Sequence, residues 1–472
     1  MMKFANRSFH FLPVVMLGCS LALTPARAQF SQQGPKLVGT GAVFVAEQGV
    51  SVALSGDGNT VIVGGFDDNN GVGAAWVYTR AGGVWSQQGP KLLATGAIGP
   101  YGAEQGISVS LSGDGNTAIV GGSGDNGAAG AAWVFTRSAG VWSQQAKLVG
   151  TGAVGPFGAQ QGYSVSLSGD GNTAIIGGPL DNTNAGAAWV FTRSGGVWSQ
   201  QGAKLVGTGA VASFGLGAEQ GWSVSLSNDG NTAIVGGFID NDFAGAAWIF
   251  TRSGGVWSQQ GGKLVGMGAM GNGSQGSSVA LSGDGNTAIV GGFADNGDVG
   301  AAWVYTRSGG VWSQQGPKLV GAGAASPFNP FGQGSSVSLS GDGNAAIVGG
   351  YGDNGSAGAA WVYTRSAGVW SQKGEKLVGT GAVGPARQGS SVALSADGTT
   401  AIVGGYGDNG FAGSAWVYTE PTFAGSPGKA NCFGQSVTVL QAQFGGLNAA
   451  AIALGFPNIG ALQNAFLAFC GG

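Results

Sequence analysis

The chain has 472 residues, of which 98 are glycine, 43% are hydrophobic and only 9% are charged. This composition is too apolar for a disordered chain and too rich in glycine for long helices, so it favours many short strands joined by tight turns. The formal net charge of -3 excludes the basic surface on which nucleic-acid binding depends.

The N-terminus has the pattern of a cleavable secretory signal over residues 1–28. Lys3 and Arg7 precede an apolar run over residues 11–23, and Ala-Arg-Ala at 26–28 forms a small-residue cleavage site. The run is shorter than the roughly 20 residues that a membrane-spanning helix needs. A lipoprotein signal would use Cys19, but Met-Leu-Gly before it is a poor lipidation motif. We therefore predict an exported mature protein, secreted, periplasmic or at the cell surface, that starts at Gln29 and has no transmembrane span.

Cleavage also decides which reactive side chains remain. It removes His10, the single histidine of the chain, and with it histidine-dependent triads, histidine general bases and ordinary zinc sites. Cys432 and Cys470 are the cysteines left in an oxidising compartment. We predict that they form one disulfide.

From residue 30 to residue 420 the sequence repeats itself seven times. The phrase A-W-[VI]-[YF]-T marks each repeat, at intervals of 55 to 59 residues. A unit of this length suits one four-stranded blade of a β-propeller. The marker tryptophans are Trp76, Trp133, Trp189, Trp248, Trp303, Trp361 and Trp416.

One repeat, residues 162–206, shows the predicted strands in order. Residues 163–167 alternate as a strand does and end at Ser-Gly-Asp-Gly-Asn, a tight-turn signal. Residues 173–177 form a short apolar run typical of a buried strand, and Asp181-Asn182 opens a loop. Residues 187–193 alternate again, turn at Ser-Gly-Gly, and lead into 197–201 and 204–206. The repeat therefore contains four strands.

The two ends of the repeat array complement each other. The phrase V-W-S-Q-[QK] follows each of the first six marker tryptophans, but after Trp416 the chain runs into Glu420-Pro421 and no fourth strand appears. Residues 30–38 are a lone fourth strand with no blade before it. We predict an all-β, seven-bladed propeller over residues 29–420, closed by the N-terminal strand, in preference to an open solenoid with capping repeats.

After the repeats, residues 421–429 read as a linker and residues 430–472 as a small helical module. Its short apolar helices are broken by Gly-Gly and by Pro457. A module of this size needs a cross-link, which a bond between Cys432 and Cys470 would supply. Docking on the propeller and a separate role in surface retention or partner binding both remain open.

The repeats resemble FG-GAP repeats, the blades of the integrin alpha-subunit propeller and of many bacterial surface proteins. The resemblance rests on segments such as 161–165, Gly177-Gly178-Pro179 and Gly-Ala-Ala-Trp-Val-Phe at 186–191, and it covers about residues 30 to 420. The S-G-G-V-W-S-Q-Q connection is similar to a bacterial secreted subfamily. Two features depart from the family. Gly-Gly replaces Gly-Ala, as at 236–237, and glutamine stands where the family has phenylalanine, at Gln48, Gln105, Gln161, Gln220, Gln275, Gln333 and Gln388.

Most aspartates fall in two recurring loops. The first loop reads S-G-D-G-N-T in most repeats. It is shorter than the calcium loop of the resembled family, and one carboxylate per loop favours a hairpin turn. The second loop places Asn after each aspartate, which is turn chemistry as well. Weak calcium binding to an acidic ring is the alternative, and no cofactor is required. The candidate ligands are Asp68, Asp125, Asp181, Asp240, Asp242, Asp295, Asp298, Asp353 and Asp408.

Two sets of tryptophans have different predicted roles. The marker set stands beside alanine in mid-strand and is predicted to pack between blades. The second set lies on the outermost strand beside Ser-Gln-Gln, where an indole could stack on a sugar while amides bind its hydroxyls. Packing against the neighbouring strand is the alternative for this set. These candidate ligand-binding residues are Trp85, Trp142, Trp198, Trp257, Trp312 and Trp370.

Export, repetition and the resemblance together predict a binding or adhesion scaffold that presents one propeller face to an extracellular protein. A multivalent carbohydrate-binding propeller is the alternative, and it rests on the outer tryptophans. Enzymatic activity is the least favoured class, because a catalytic site needs one asymmetric constellation and the repeats are nearly identical.

Overall fold

The computed structural model describes residues 30–99, 102–155, 158–212, 215–324, 332–420, 431–453, 456 and 458–470. The predicted signal peptide (1–28), Gln29 and the predicted linker (421–429) lie outside the described residues.

Seven four-stranded antiparallel sheets form the blades of a propeller, in agreement with the sequence prediction. The innermost strands are β2 (Ser51–Leu54), β6 (Ser108–Leu111), β10 (Ser164–Leu167), β14 (Ser223–Leu226), β18 (Ser278–Leu281), β22 (Ser336–Leu339) and β26 (Ser391–Leu394). The second strands are β3 (Thr60–Gly65), β7 (Thr117–Gly122), β11 (Thr173–Gly178), β15 (Thr232–Gly237), β19 (Thr287–Gly292), β23 (Ala345–Gly350) and β27 (Thr400–Gly405).

The outer half of each blade carries the marker tryptophan and the Ser-Gln segment. The third strands are β4 (Ala74–Ala81), β8 (Ala131–Ser138), β12 (Ala187–Ser194), β16 (Ala246–Ser253), β20 (Ala301–Ser308), β24 (Ala359–Ser366) and β28 (Ser414–Thr419). The outermost strands are β1 (Ser31–Gln32), β5 (Val84–Gln87), β9 (Val141–Leu148), β13 (Val197–Gln200), β17 (Val256–Gln259), β21 (Val311–Gln314) and β25 (Val369–Gln372).

A four-residue helical turn joins the second and third strands of every blade. Its middle residues have left-handed φ, as at Asn182 (φ 50°), a conformation that asparagine tolerates better than most residues. The turns are α1 (Asp68–Gly71), α2 (Asp125–Ala128), α3 (Asp181–Asn184), α4 (Asp240–Phe243), α5 (Asp295–Asp298), α6 (Asp353–Ser356) and α7 (Asp408–Phe411).

The propeller has two distinct faces. The helical turns and the loops that pass from one blade to the next touch each other, for example through Glu104 N–H and Gly71 C=O, and we call their side the loop face. The opposite side carries the S-G-D-G-N and S-G-G-V turns, and we call it the hairpin face.

The N-terminal strand closes the ring, as predicted. In the seventh blade, β1 pairs antiparallel with β28, so that Ser31 lies opposite Thr419. Further along, Leu37 N–H donates to the carbonyl oxygen of Ala415 at 2.7 Å, and Lys36 forms an ion pair with Asp408 at 2.5 Å. This pairing supplies hydrogen-bond partners for the backbone N–H and C=O groups that the edge of the seventh blade would otherwise expose.

The hydrophobic core lies between neighbouring blades. The marker tryptophans are fully buried, with 0% exposure. Trp189 packs on Ile119, Ala132 and Val134 of the preceding blade, which confirms the predicted wedge packing. A Cβ added at Gly237, where the family pattern has alanine, would lie 2.6 Å from the carbonyl oxygen of Ala218, so this close approach explains the Gly-Gly departure from the family pattern.

The glutamine departure also has a structural reason. Gln161 is buried, and its amide grips one peptide group: Oε1 accepts from Gly150 N–H while Nε2 donates to Gly150 C=O at 2.9 Å. The backbone of Gln161 also bridges to Gly130 of the preceding blade. A phenylalanine could supply neither side-chain bond.

A closed ring of seven backbone hydrogen bonds surrounds the axis on the hairpin face. Each residue at one equivalent position donates its N–H to the carbonyl oxygen of the next, at 2.8 to 2.9 Å. The ring runs through Gly56, Gly113, Gly169, Asn228, Gly283, Gly341 and Ala396 and returns to Gly56.

At six blade boundaries, the side-chain oxygen of one glutamine accepts two hydrogen bonds from side chains of the following blade. Gln145 Oε1 accepts from Arg193 Nη1 at 3.0 Å and from Trp198 Nε1 at 3.1 Å. The same arrangement occurs at Gln33, Gln88, Gln201, Gln260 and Gln315.

The boundary between the sixth and seventh blades is built from three different residues. Lys373 replaces the glutamine, Glu420 the arginine and Phe30 the tryptophan. Lys373 Nζ lies 2.5 Å from Glu420 Oε2 and 5.7 Å from the centroid of the Phe30 ring. The three changes belong together, because Phe30 has no N–H for a glutamine to accept and Glu420 requires a cation.

The C-terminal module contains α8 (Cys432–Phe444), α9 (Leu447–Ala453) and α10 (Ile459–Cys470). They pack around Leu440, Leu462 and Phe466, and the predicted disulfide between Cys432 and Cys470 is present. Within the described part of the chain, no helix has the length and apolar character needed to cross a membrane.

Candidate functional site

The outer tryptophans use their polar groups within the propeller. In the third blade, the indole N–H of Trp198 donates to Gln145, and the Arg193 guanidinium lies 5.3 Å from the indole centroid. The amide and the indole that were predicted to face a sugar therefore face each other across a blade boundary. A saccharide role for this set stays a prediction.

The aspartates of the helical turns are buried and ion-paired. Asp181 accepts the Val154 N–H at 2.8 Å through Oδ1 and contacts Lys204 Nζ at 2.5 Å through Oδ2. Seven such pairs surround the propeller: Asp68–Lys91, Asp125–Lys147, Asp181–Lys204, Asp240–Lys263, Asp295–Lys318, Asp353–Lys376 and Asp408–Lys36.

Each of these carboxylates thus already has a cationic partner. Asp242 and Asp298, the other candidate ligands, are exposed on the loop face. Among the described residues no three acidic or sulfur ligands cluster as a metal site would require. Weak calcium binding at these loops stays a prediction.

The aspartates of the first loop shape hairpin turns. Asp170 accepts hydrogen bonds from Ser168 Oγ at 2.5 Å and from the Asn172 N–H at 2.9 Å. Burial alone would raise the pKa of Asp170, but these hydrogen bonds and nearby Arg193 hold it below its ordinary value. The geometry agrees with the predicted turn.

Differences between the repeats concentrate on the loop face. Six stretches of the chain run from the recurring buried glutamine to the ion-paired lysine, for example from Gln161 to Lys204. The separation between these two residues is 43 positions in five stretches and 42 in one. The loops that lead from each such lysine to the next glutamine vary more, from 12 to 16 positions. The residue two positions after the glutamine also varies widely, as Val50, Ile107, Tyr163, Trp222, Ser277, Ser335 and Ser390. The residue that follows the second strand varies as Phe66, Ser123, Pro179, Phe238, Phe293, Tyr351 and Tyr406.

Three of these variable residues form an aromatic cluster over the third to fifth blades. The ring centroids of Tyr163 and Trp222 lie 4.5 Å apart, and those of Trp222 and Phe238 lie 4.4 Å apart. Phe243 and Phe293 extend the cluster at 6.2 and 6.4 Å from Phe238. These side chains are half-buried, so the cluster offers apolar surface to a partner.

A second group lies on the same face in the seventh blade. The Arg387 guanidinium is 5.0 Å from the Tyr406 ring and 5.3 Å from the Phe411 ring, and Arg387 Nη1 donates to Tyr406 Oη at 2.5 Å. The loop face is therefore asymmetric although the blades are nearly identical.

The loop face also carries the excess negative charge of the propeller. The seven turn aspartates pair with lysines, six arginines lie beside the first-loop aspartates, and Glu420 pairs with Lys373. The remaining acids of the described propeller are Glu375, beside an outermost strand, and six on the loop face: Glu47, Asp67, Glu104, Glu219, Asp242 and Asp298. Arg387 is the one base of the described loop face that lies outside the recurring pairs.

Among these six acids, Glu219 has the most strongly shifted pKa. It is 7% exposed, and burial raises its pKa to about 7, although a hydrogen bond from Asn184 Nδ2 opposes the shift. Burial and the nearby Asp67 also raise the pKa of Glu47, while Arg387 lowers it. The carboxyl group of Glu219 thus lies in an apolar setting near the aromatic cluster.

Sequence reasoning missed this cluster. Trp222 has no tryptophan counterpart in the other six blades, so the repeat pattern predicts no role for it. The signal was in the repeats themselves: when the seven copies are aligned, the columns that vary are those that the fold brings to the loop face.

Comparison with known families supports the fold. The family model described as FG-GAP repeat matches residues 142–191, which run from the outermost strand of the second blade through Phe191 in the third strand of the next. A search of curated proteins found no significant match. Residues 142–191 contain one copy of a unit that the chain repeats around seven blades, and the chain is an FG-GAP repeat β-propeller protein.

Proposed function

We propose that this protein is an exported interaction scaffold that presents its loop face to a protein partner. FG-GAP propellers are typically non-catalytic interaction scaffolds, and such domains and disulfides are typical of extracellular proteins. The observation that carries the choice of face is the concentration of sequence differences there. Where near-identical repeats share one fold, the residues that differ are free of the packing constraint and available for recognition.

The chemistry of the loop face supports a cationic partner. Half-buried aromatic side chains supply apolar contact, and aromatic residues are frequent energetic centres of protein interfaces. Six acidic residues outside the recurring ion pairs lie on the same face, so a basic patch on the partner would be attracted and oriented.

The experiment compares two faces of the same protein. Partner capture by residues 29–472, with a photo-crosslinker at position 222 or at position 197, is followed by binding assays on purified partner. We expect crosslinking from 222 alone. Trp222→Ala should weaken binding by about 30-fold, equivalent to about 2 kcal/mol, and the hairpin-face control Val197→Ala should leave it unchanged. Loss of binding through Val197→Ala instead would move the site to the hairpin face.

Export has its own test. N-terminal sequencing of protein recovered outside the cytoplasm should begin at Gln29. An uncleaved Met1 in the only recovered pool would contradict the proposed signal peptide.

A second candidate function, multivalent carbohydrate binding, is favoured by one cavity. It lies between the outermost strands of the first two blades, has a volume of about 430 Å³, and is lined by Gln88, Lys91, Thr95, Trp142 and Gln144. Its size is within the range of small-ligand sites. A glycan array should show binding that falls when Trp142 and its equivalents become alanine, and a blank array would exclude this function.

A further inference from the structure

The C-terminal module contacts the propeller through the side chain of Phe444. A Cβ built on Gly83, in the first hairpin, would lie 3.5 Å from Phe444 Cε1 and 3.6 Å from Gln33 Nε2. The Phe444 ring therefore lies against the glycine backbone and beside the amide of Gln33. Phe444 is the last residue of α8, and Gly445 follows it with a left-handed φ of 74°, so the ring is presented at the end of a helix.

This contact explains why Gln33 is more buried than its equivalents. Gln33 is 2% exposed, and its Oε1 accepts from Arg80 Nη1 at 3.1 Å and from Trp85 Nε1 at 3.0 Å. Its Nε2 has no hydrogen-bond partner among the described residues. An aromatic ring is a weak acceptor for an amide N–H, and the Phe444 ring is beside this donor. The aromatic side chain thus suits the surface that it covers.

The same surface recurs, uncovered, at five other blade boundaries. We call a lateral groove the space between the recurring glutamine of one blade and the glycine before the exposed valine in the hairpin of the next blade. In these five grooves, a Cβ built on the glycine would lie 3.7 Å from the glutamine Nε2 in four cases and 4.0 Å in one, with no other atom within 4 Å. Gly83 is half-buried, but the five equivalent glycines are exposed. The open grooves pair Gly140 with Gln88, Gly196 with Gln145, Gly255 with Gln201, Gly310 with Gln260 and Gly368 with Gln315.

The covalent connection explains why the module lies in one particular groove. Residues 421–430 join Glu420 to Asn431, and a chain of this length spans at most about 36 Å. The module is therefore restricted to the surroundings of the seventh blade. At the boundary between the sixth and seventh blades Lys373 replaces the glutamine, so the boundary between the seventh and first blades has the nearest groove of this kind. No special property of that groove is needed.

We propose that the five open lateral grooves bind an aromatic side chain that a partner protein presents at the end of an uncharged helix. The occupant of the sixth groove supports this choice, because Phe444 ends a helix in a segment, residues 430–472, that contains no charged side chain. Five equivalent grooves around one ring would let a partner with several such helix ends bind by avidity. This inference goes beyond the loop face and does not rest on it.

The test labels the grooves with a synthetic peptide of residues 436–446 that has p-benzoyl-phenylalanine at the position of Phe444. After irradiation with residues 29–472, we expect mass spectrometry to find crosslinks at 139–142, 195–198, 254–257, 309–312 and 367–370, and none at 82–85. Phe444→Ala in the protein should add crosslinks at 82–85, because it uncovers that groove. An excess of unmodified peptide should lower labelling at least tenfold, and the same peptide with Phe444→Ala should not.

A second variant acts on the propeller and leaves the module unchanged. Replacing Gln88, Gln145, Gln201, Gln260 and Gln315 by glutamate keeps an oxygen for the arginine and tryptophan donors, but it removes the amide donor and adds a negative charge beside the bound ring. Labelling should fall at least tenfold. The control adds the same charge on the same strands, by aspartate at the exposed residues Ser86, Ser143, Ser199, Ser258 and Ser313, and should leave labelling unchanged.

Three results would overturn the proposal. They are equal suppression by the two competing peptides, crosslinks only on other surfaces, and equal labelling of 82–85 in the parent and in Phe444→Ala, with circular dichroism confirming the fold of each variant. Sedimentation of the protein without peptide tests a different occupant: dimers that Phe444→Ala abolishes would assign the grooves to a second copy of the chain instead. None of these results bears on the loop face, which crosslinking from position 222 tests separately.

Discussion

The three residues at the sixth-to-seventh boundary give the sharpest test of how the ring closes. Lys373→Gln removes the cation from Glu420, whereas the triple variant Phe30→Trp, Lys373→Gln and Glu420→Arg recreates the arrangement found at six other boundaries. We expect the single substitution to destabilise the propeller and the triple variant to restore its stability.

The expected size of the effect follows from the geometry. The Lys373 and Glu420 side chains are 10% and 23% exposed, so their ion pair is intermediate between exposed and buried pairs. An exposed ion pair stabilises a protein by ~0–1 kcal/mol, and disruption of a buried one costs ~3–5 kcal/mol. About 2 kcal/mol is therefore expected. A propeller of roughly 390 residues unfolds with an entropy of about 0.8 kcal/mol/K, so the midpoint should fall by about 2–3 °C.

Differential scanning calorimetry measures this shift, with Gln315→Ala as a control for loss of a glutamine at an ordinary boundary. The triple variant should unfold within about 1 °C of the parent. If it unfolds no higher than Lys373→Gln alone, the three residues do not act as a set and the reasoning fails.

Three further predictions concern other parts of the fold. Because burial raises the pKa of Glu219 from 4.5 to about 7, its contribution to stability is full below pH 4.5 and is lost as the pH rises through 7. Glu219→Gln should therefore raise the free energy of unfolding by about 1–2 kcal/mol at pH 8 but not at pH 4, and equal effects at both values in denaturant titrations would contradict this. Trp189→Ala should cost about 3–5 kcal/mol, against about 1–2 for the half-exposed Trp198→Ala, and similar unfolding midpoints for the two would refute the packing argument. Cys432→Ser opens a loop with a sequence separation of 38, worth about 4 kcal/mol; limited proteolysis should then remove the module and leave the propeller intact, and a protease-resistant module would speak against this.

The repeat pattern predicts the propeller because the strands that pair within a blade follow one another along the chain. Each turn is encoded by a few residues, such as Asp170 with Asn172, and the strands between them follow. The closing strand was predictable for another reason: a surplus strand at residue 30 and a deficit after Thr419 could be counted.

The contacts between blades were not predictable in the same way. Trp198 and Gln145 belong to neighbouring blades, so their contact depends on how the sheets stack and twist. Asp181 and Lys204 belong to one blade, but they meet only because the segment after the fourth strand pairs beside the third strand, at Leu205 and Ala188. The sequence shows that these side chains recur but not that they face one another, so Asp181 and Trp198 are candidate ligands on the sequence alone.

The variable loop face is not evident from the repeat pattern, because its residues are those that the repeats do not share. Tyr163, Trp222 and Phe238 are each aromatic in only some of the repeats, and they come together because the neighbouring third and fourth blades present these positions to one surface. The contact of Phe444 with Gly83 is equally beyond the sequence, which does not show where the module docks.

The register of the closing strand has a mechanical consequence. Ser31 and Thr419 lie opposite each other, so both ends of the chain leave the seventh blade at the same end of the ladder. A force that pulls those ends apart breaks the hydrogen bonds between β1 and β28 one after another from that end of the ladder. It does not shear all of them at once along the strands. Under tension the ring would yield at this ladder first, while the other six blades, each a continuous stretch of chain, remain unloaded until it has parted.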